Sequence, residues 1–589
     1  MRWSRTILIL LMLLDVWYRA HTFGGHVREG LGISLWPRVI GASEPLDCDE
    51  AAYAYIGHRI LHGDVLYRDL TENKPPLGYW IYTLAVALGG YNELTIRVMP
   101  IPFILATIAL VWWIANRLGG RGSACLAAGL FMLLSTDPYL FGNGANLEHL
   151  INFFGVASLA LFLLFWDRAG RWLLVSSGVC LGAAALVKQV AIVPALIFAL
   201  ALVLRSMAHG DRLRARAARG FLHLVAFALG IVGIAAVAAT ILIARGAGQS
   251  AFEDIFQYGR ALATDTLTDP NAPWGLIRWI TGNADPAGQL PWPFGGTDYL
   301  VWWGSGSWPL WLASIPALAY LLLCPGTTAP RRLLAGWTLA AWAQVILPGL
   351  YWPHYYLLPI AGVAMSVALC LADATSVVGR AVWPGDKASS HKIAGGSGPV
   401  RRWTGLAAWS ALLLASAIGG SLFLQIRDYL LVPPEELTIR YKGGRQWVVL
   451  RAMGRELGRR ATIWAHPRLY VWGWQSPLHF YSGLDGPTRH FFVDNLLRDQ
   501  ADRDHPLIKP RTEEIIAALR RRLPELIFTG YAPFRALRAF LNERYLPSRL
   551  APGLWVKQDE YGRFELIAPP AAPAADPPTT QDSWCPAGT

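Results

Sequence analysis

Residues 219–244 read RGFLHLVAFALGIVGIAAVAATILIA. After Arg219 the stretch carries no Asp, Glu, Lys or Arg. Wound as a helix at about 1.5 Å per residue, it is long enough to cross a hydrocarbon layer of about 30 Å. The segments 6–20, 95–115, 122–138, 148–166, 301–324, 355–374 and 403–424 are similarly apolar. Only helices and closed barrels satisfy their backbone inside lipid, and these runs are too long and continuous for barrel strands. Composition agrees: 54% of the chain is apolar and 16% charged, against about 25% charged in soluble domains. The expectation is an all-α polytopic membrane protein. Several of the 27 tryptophans, among them Trp303, Trp308, Trp352 and Trp403, fall where helices meet the interface, the depth that aromatic belts occupy.

The net charge of +12 does not point to nucleic acid, because the basic residues sit in short loops between apolar runs. Such loops stay on the cytoplasmic side. Arg2 and Arg5 place the N-terminus inside, with 1–20 as a retained first helix or signal anchor. Inside loops are then 116–121, 167–171, 205–219 with its five arginines, 331–332, and 375–402. Outside lie 21–94, 139–147, 245–300, 351–354 and everything after 424. Further helices are expected near 171–186, 190–205 and 333–350. The total is about eleven spans of bilayer length. Segment 75–90 is apolar, but counting it as a span would put the basic loops outside. It is read as a juxtamembrane or re-entrant helix opened by Pro75-Pro76, since proline suits a first helical turn.

Two long outer segments stand out, since loops of such length usually carry function or structure of their own. Helices are expected near 48–62 and 251–263, the latter with Phe252, Ile255 and Phe256 as interface anchors. From about 435 the pattern changes to short β-like runs at 461–464, 469–472 and 525–528, with helical patterns at 442–458, 488–500 and 511–523. That alternation predicts a small α/β domain, and a Pro/Ala-rich tail at 569–580 predicts disorder. The division is therefore 1–424 membrane domain, 435–567 soluble outer domain and 568–589 tail. Cys125, Cys180, Cys324 and Cys370 fall in apolar runs, Cys48 and Cys585 outside them, and no CxxC pair suggests a cysteine metal site.

Polar residues gather on the outer side. Asp49 and Glu50 open the 48–62 helix, Lys74 precedes the proline pair, Arg97 lies in the first turn of the second helix, and Glu148 begins the fourth beside His149. Lys188 and Gln189 break the apolar stretch between the fifth and sixth helices, and Tyr351, His354, Tyr355 and Tyr356 close the ninth and open the tenth. A carboxylate here can activate an acceptor or bind a cation, and an ammonium can hold a phosphate at headgroup level. The ordinary alternatives are helix capping for Asp49 and snorkelling for Lys74. No nucleotide-binding, zinc-protease or paired-cysteine motif occurs. An enzyme acting on a lipid-linked substrate, a glycan flippase or transporter, and a non-catalytic assembly protein remain as classes.

The DE pair at 49–50, HGDVLYRDL at 62–70, KPPLGYW at 74–80, the acid Glu148, LGAAALVKQ at 181–189 and WPHYYLLP at 352–359 resemble the bacterial membrane glycosyltransferases of the GT-C fold. The nearest resemblance is to protein O-mannosyltransferase-like enzymes and aminoarabinose lipid A transferases. It implies a GT-C membrane domain with a C-terminal extracytoplasmic domain in the bacterial inner membrane. It also implies an inverting transfer from a polyprenyl-phosphate-linked sugar to a lipid, glycan or protein acceptor on the outer face. By the same resemblance Asp49, with Glu50 as its rival, is the catalytic carboxylate, and Glu148 matches the second-loop acid. Lys74 matches the lysine on the lipid phosphate, with Arg97, Lys188, His354 and Tyr355 near the donor. A divalent metal, if used, would draw on Asp49 and Glu148. The aminoarabinose subgroup has an acid directly before the lysine; here Asn73 stands there, with Glu72 one earlier.

Overall fold

The computed structural model describes residues 44–208, 212–264, 308–348, 352–382, 418–429 and 431–567, besides positions 6, 9, 10, 12, 412, 413, 415 and 416. The expectations for helix 6–20 as a whole, for 265–307 with Trp303, for Tyr351, for 383–411 with Trp403, and for the tail with Cys585 lie outside the described residues.

Among the described residues, five helical segments are long and apolar enough to cross a bilayer: Glu93–Leu134, Leu147–Arg168, Gln189–Met207, Leu213–Ala244 and Pro353–Thr375. Leu77–Gly89, Arg171–Val187 and Trp308–Leu323 are shorter apolar helices. The chain is thus a polytopic, all-α membrane protein carrying a small open β-sheet domain near its C-terminal end. The elements that position the site are α1 (Cys48–Leu61), α2 (Leu77–Gly89), α3 (Ile101–Leu134), α4 (Leu147–Arg168), α5 (Arg171–Val187), α6 (Pro194–Met207), α7 (Leu213–Ala244), α8 (Trp308–Leu323), α9 (Ala329–Ile346) and α10 (Ile360–Val382).

The long α3 is not one straight rod. Gly120 inside it has φ 81° and ψ −173°, a conformation open to glycine and broken from the helix. Arg97 just before α3 and Ala145 shortly after it both bond Oε1 of Glu50, at 2.6 and 2.7 Å. A straight helix of that length would hold its ends roughly 50 Å apart. The chain therefore doubles back at Gly120, as expected for two helices separated by a basic turn. The opposite end of the bundle gathers the charges of the expected inner loops. Arg117 pairs with Asp167, and Arg331 bonds both Leu118 O (2.8 Å) and Asp373.

α2 has 13 residues, about 20 Å of helix, which is too short to cross the bilayer, in line with a juxtamembrane or re-entrant reading. α5 and α7 approach through small residues. A Cβ on Gly178 would lie 2.1 Å from Phe227 O, and one on Gly230 2.0 Å from Val175 O, so the two backbones touch where side chains are absent. Away from this seam α7 shows Leu229, Val232, Val237, Ile241 and Ile243 outward, the surface a lipid-facing helix presents.

The C-terminal sheet has the order β1-β2-β4-β3, with β1 (Leu469–Trp472), β2 (Leu526–Thr529), β3 (Tyr545–Pro547) and β4 (Leu554–Lys557). β1 and β2 are parallel with Leu469 opposite Leu526, whereas β4 runs antiparallel to β2 and β3. Tyr470, Trp472 and Ile527 pack into one core, and Leu469, Val471, Leu526 and Phe528 into another. Both faces are covered, as an αβ crossover requires. Two of the expected strands form. The third, 461–464, does not: Ala461 ends the helix Gln446–Ala461 and Thr462 caps it. β3 and β4 were not foreseen. In the outer segment, helix Gly248–Phe252, a π-helical turn Glu253–Tyr258 and helix Gly259–Thr264 replace a single helix. There Phe252 and Phe256 are exposed, but Ile255 is buried, so Ile255 is packing rather than an interface anchor.

Candidate active site

α1 begins with an acidic cluster whose members divide the work. Asp47 is the N-cap: its side chain accepts from Glu50 N (2.9 Å), and the Glu50 carboxylate accepts from Asp47 N (3.2 Å). This reciprocal box satisfies two of the helix's free N–H groups. Glu50 is buried and also bonds Arg97 and Ala145 N. Burial works against its charge, but Arg97 and Lys442 outweigh burial and hold its carboxyl below the ordinary range. Asp47 goes the other way, pushed up to about 7 by burial first and by Glu50 second. Asp49 has neither job. It is half-buried on α1 and lines a cavity. The expected capping task of Asp49 thus belongs to Asp47.

The cavity has a volume of about 910 Å³. Its lining includes Asp49, Lys74, Glu148, Lys188, His354 and Tyr355, so six of the eight residues singled out from sequence meet in one space. Glu50 and Arg97 do not line it; they form a buried ion pair behind α1. Lys74 Nζ lies 3.4 Å from Glu72 Oε1 and 5.2 Å from the Tyr53 ring centre. Burial opposes its charge, yet Glu72 and Asp49 hold the ammonium above its ordinary range. Glu72 therefore takes the place beside the lysine that Asn73 leaves open. Glu72 Oε2 and Asn73 Oδ1 have no hydrogen-bond partner among the described residues, and both residues line the cavity.

Across the space, Lys188 stands at the extended break between α5 and the following turn. Its Nζ bonds Glu148 Oε1 at 3.0 Å and sits 3.4 Å from the Tyr355 ring centre. Glu148 is in the first turn of α4, and His354 lies between Phe141 and Tyr355. One Glu148 oxygen is bonded to Lys188, and no group of three or more His, Cys, Asp and Glu placed to hold a metal occurs among the described residues.

Sequence reasoning missed the contribution of the C-terminal unit. Lys442 Nζ sits 3.6 Å from Glu44, 4.0 Å from Asp47 and 3.8 Å from Glu50. Arg511 pairs with Asp254 and lies 4.0 Å from the Tyr258 ring centre, while Tyr258 OH donates to Asp494 (2.8 Å). Ser476 donates to Cys48 O, and Tyr55 stacks on His479 at 4.8 Å. The C-terminal unit thus braces both α1 and the 253–258 turn. No local pattern signals these contacts, because they join residues hundreds of positions apart.

Residues 63–244 match the family model described as dolichyl-phosphate-mannose-protein mannosyltransferase. An undecaprenyl phosphate-alpha-4-amino-4-deoxy-L-arabinose arabinosyl transferase from Erwinia tasmaniensis is 31% identical over 141 residues, 23% of this chain and 26% of that one. Its counterpart from an Enterobacter species is 28% identical over 135 residues, 21% and 24% of the two chains. The chain therefore spans about a quarter of the length of the curated relatives it matches. The archaeal oligosaccharyltransferase AglB from Archaeoglobus fulgidus, solved with an inhibitory peptide and a dolichol-phosphate, superposes with a TM-score of 0.50 at 13% identity. It covers 90% of this chain and 69% of its own.

Proposed function

We propose that this chain, a relative of the membrane glycosyltransferases of the GT-C fold, is itself an inverting glycosyltransferase of the bacterial inner membrane. Its donor is a sugar on polyprenyl phosphate, and its acceptor is a hydroxyl or phosphate on a lipid, glycan or protein. The observation that carries this reading is the meeting of Asp49, Lys74, Glu148 and Lys188 in one cavity beside apolar spans. Two cations and a carboxylate with no structural task are what such a reaction needs.

The chemistry follows from charge. The acceptor oxygen attacks the anomeric carbon from the face opposite the phosphate, and the bond from that carbon to the phosphate oxygen breaks. The electron pair leaves with the phosphate, whose added negative charge Lys74 stabilises, with Lys188 beside it. Asp49 takes the acceptor proton, a contribution typically worth about 10²–10⁴-fold. Glu148 tunes and orients Lys188. Glu50 and Arg97 hold the start of α1, so they position Asp49 rather than act on substrate.

The reading extends to organisation. About eleven spans would set the basic loops inside and the cavity with the 435–567 domain on the periplasmic side, 568–589 being a tail. A flippase would need no free carboxylate at Asp49, and an assembly protein would need none of the cavity charges. Mass spectrometry of surface lipids, glycans and proteins from cells with and without the active chain tests the function. Loss of one glycosyl increment is expected in its absence; unchanged surface glycans would overturn the reading.

A further inference from the structure

β1 and β2 are parallel neighbours, and the chain leaves their carboxyl ends through Gly473-Trp474-Gln475 and Gly530-Tyr531. In open αβ sheets, ligands bind in the crevice outside those ends. Here the crevice opens on the same cavity, which Trp474, Gln475 and Tyr531 line together with Trp352 from the membrane region. The rings form a continuous aromatic wall: Trp352 and Trp474 have centres 6.1 Å apart, and Trp474 and Tyr531 6.3 Å. All three side chains are half-buried. Arg498 lies 4.7 Å from the Tyr531 centre and 5.9 Å from that of Trp474, fixing the wall from the protein side.

Gln475 is the second observation. It is 4% exposed, and its amide oxygen has no hydrogen-bond partner among the described residues. An unmade hydrogen bond on a buried amide is costly. The position is built rather than accidental: a Cβ on Gly473 or on Gly530 would lie 2.0 Å from that oxygen, so both strand ends are bare where the amide rests.

We propose that this strand-end crevice is a saccharide subsite, in which the aromatic wall packs the C–H face of a sugar ring and the Gln475 amide turns out from between Gly473 and Gly530 to bond a hydroxyl. A polyprenyl tail would call for an aliphatic wall without an unmet amide, and a phosphate would go to the lysines. Aromatic bodies with a few directional polar groups suit a ring that is apolar on its faces and polar at its edge. The inference deepens the glycosyltransferase reading and rests on it; it gives the C-terminal domain a share in substrate recognition. The sugar is either that of the donor or one on the acceptor.

The test is saturation-transfer NMR on the full chain in nanodiscs with a panel of neutral and amino methyl pyranosides. Binding of undecaprenyl phosphate is measured separately. Wild type is expected to saturate at least one glycoside. Trp474→Ala should weaken it at least about tenfold, as truncation of a central aromatic contact does. Gln475→Leu should weaken it about threefold or more, the worth of one hydrogen bond. Undecaprenyl phosphate affinity should stay unchanged in Gln475→Leu, and Tm should not fall, since the variant removes an unmet buried hydrogen bond. Should Trp474→Ala fail to fold, Gln475→Leu and Tyr531→Ala carry the test. Displacement of the glycoside by undecaprenyl-phosphate mannose, but not by undecaprenyl phosphate, assigns the donor sugar; persistence of the signal assigns the acceptor. No saturation by any glycoside, or equal saturation in wild type and folded variants, overturns the subsite while leaving the donor-phosphate reading intact. Glycoside binding without undecaprenyl phosphate binding removes that reading and keeps the subsite.

Discussion

Asp49 and Glu50 are adjacent, yet they differ in what each side chain has left to give. Glu50 is consumed by Arg97, Ala145 N and the cap of α1, whereas Asp49 faces the cavity. The resemblance favoured Asp49 over Glu50, but no local pattern could divide the pair, because the division depends on Asp47 taking the cap and on an arginine 47 positions away. Lys74 was legible from its place before the proline pair. Its partner Glu72 was visible only as a departure from the family pattern. Lys74→Ala is expected to weaken undecaprenyl phosphate binding by about tenfold or more, the scale of a hydrogen bond to a charged group. Lys74→Arg should restore part of it, since a planar fork replaces a compact ammonium. Unchanged affinity in the alanine variant, measured by titration in nanodiscs, would remove Lys74 from the phosphate. Asp47 makes a pH prediction. Its folded-state value of about 7 lies above its ordinary 3.8, so the folded protein holds a proton there that the unfolded chain releases. This contribution is full below pH 4 and is lost as pH rises towards 7. Asp47→Asn keeps the cap and should remove that part of the decline in Tm between about pH 4 and 7. Parallel Tm–pH curves for the two proteins would contradict it.

At the scale of elements, hydrophobic periodicity located α1, α2, the break at Gly120 and strands β1 and β2. It failed at 461–464, where Ala461 finishes an amphipathic helix and 462–464 turn out of it instead of forming a strand. It also passed over β3 and β4: β3 is three residues long with two of them exposed, and β4, though it alternates, is only four residues long. The 251–263 segment was read as one helix with three anchors; a π-helical turn rotates Ile255 inward and leaves Phe252 and Phe256 out. That turn is pinned by Asp254 to Arg511 and by Tyr258 to Asp494. Removing one partner from a buried pair costs about 3–5 kcal/mol. Arg511→Ala should therefore speed hydrogen exchange across 248–264 while leaving α4 and α7 unchanged. Exchange at the wild-type rate in that segment would show that the pair does not hold it.

For the whole molecule, composition and blocked hydropathy decided the class, because spanning lipid leaves few backbone solutions. The charge bias put Arg117, Asp167 and Arg331 on one side, and these residues meet with Asp373 at one end, away from Glu50, Arg97 and Ala145. The reach of the C-terminal unit into the cavity was not legible, since it depends on long-range docking of Lys442, Gln475, His490 and Arg511. The proposed sidedness predicts that an impermeant thiol reagent on intact cells labels a cysteine introduced near 280 but not one near 212; the reverse pattern would invert the topology. The central claim is tested most directly by transfer itself. Purified chain in nanodiscs receives undecaprenyl phosphates bearing radiolabelled sugars, with an envelope extract supplying acceptors. The expected result is label leaving the lipid in a glycosidic bond of inverted anomeric configuration, with turnover falling at least about 10²-fold in Asp49→Asn, the loss expected of a missing base. Label that stays on the lipid in every arm, or equal transfer by wild type and Asp49→Asn, would contradict it.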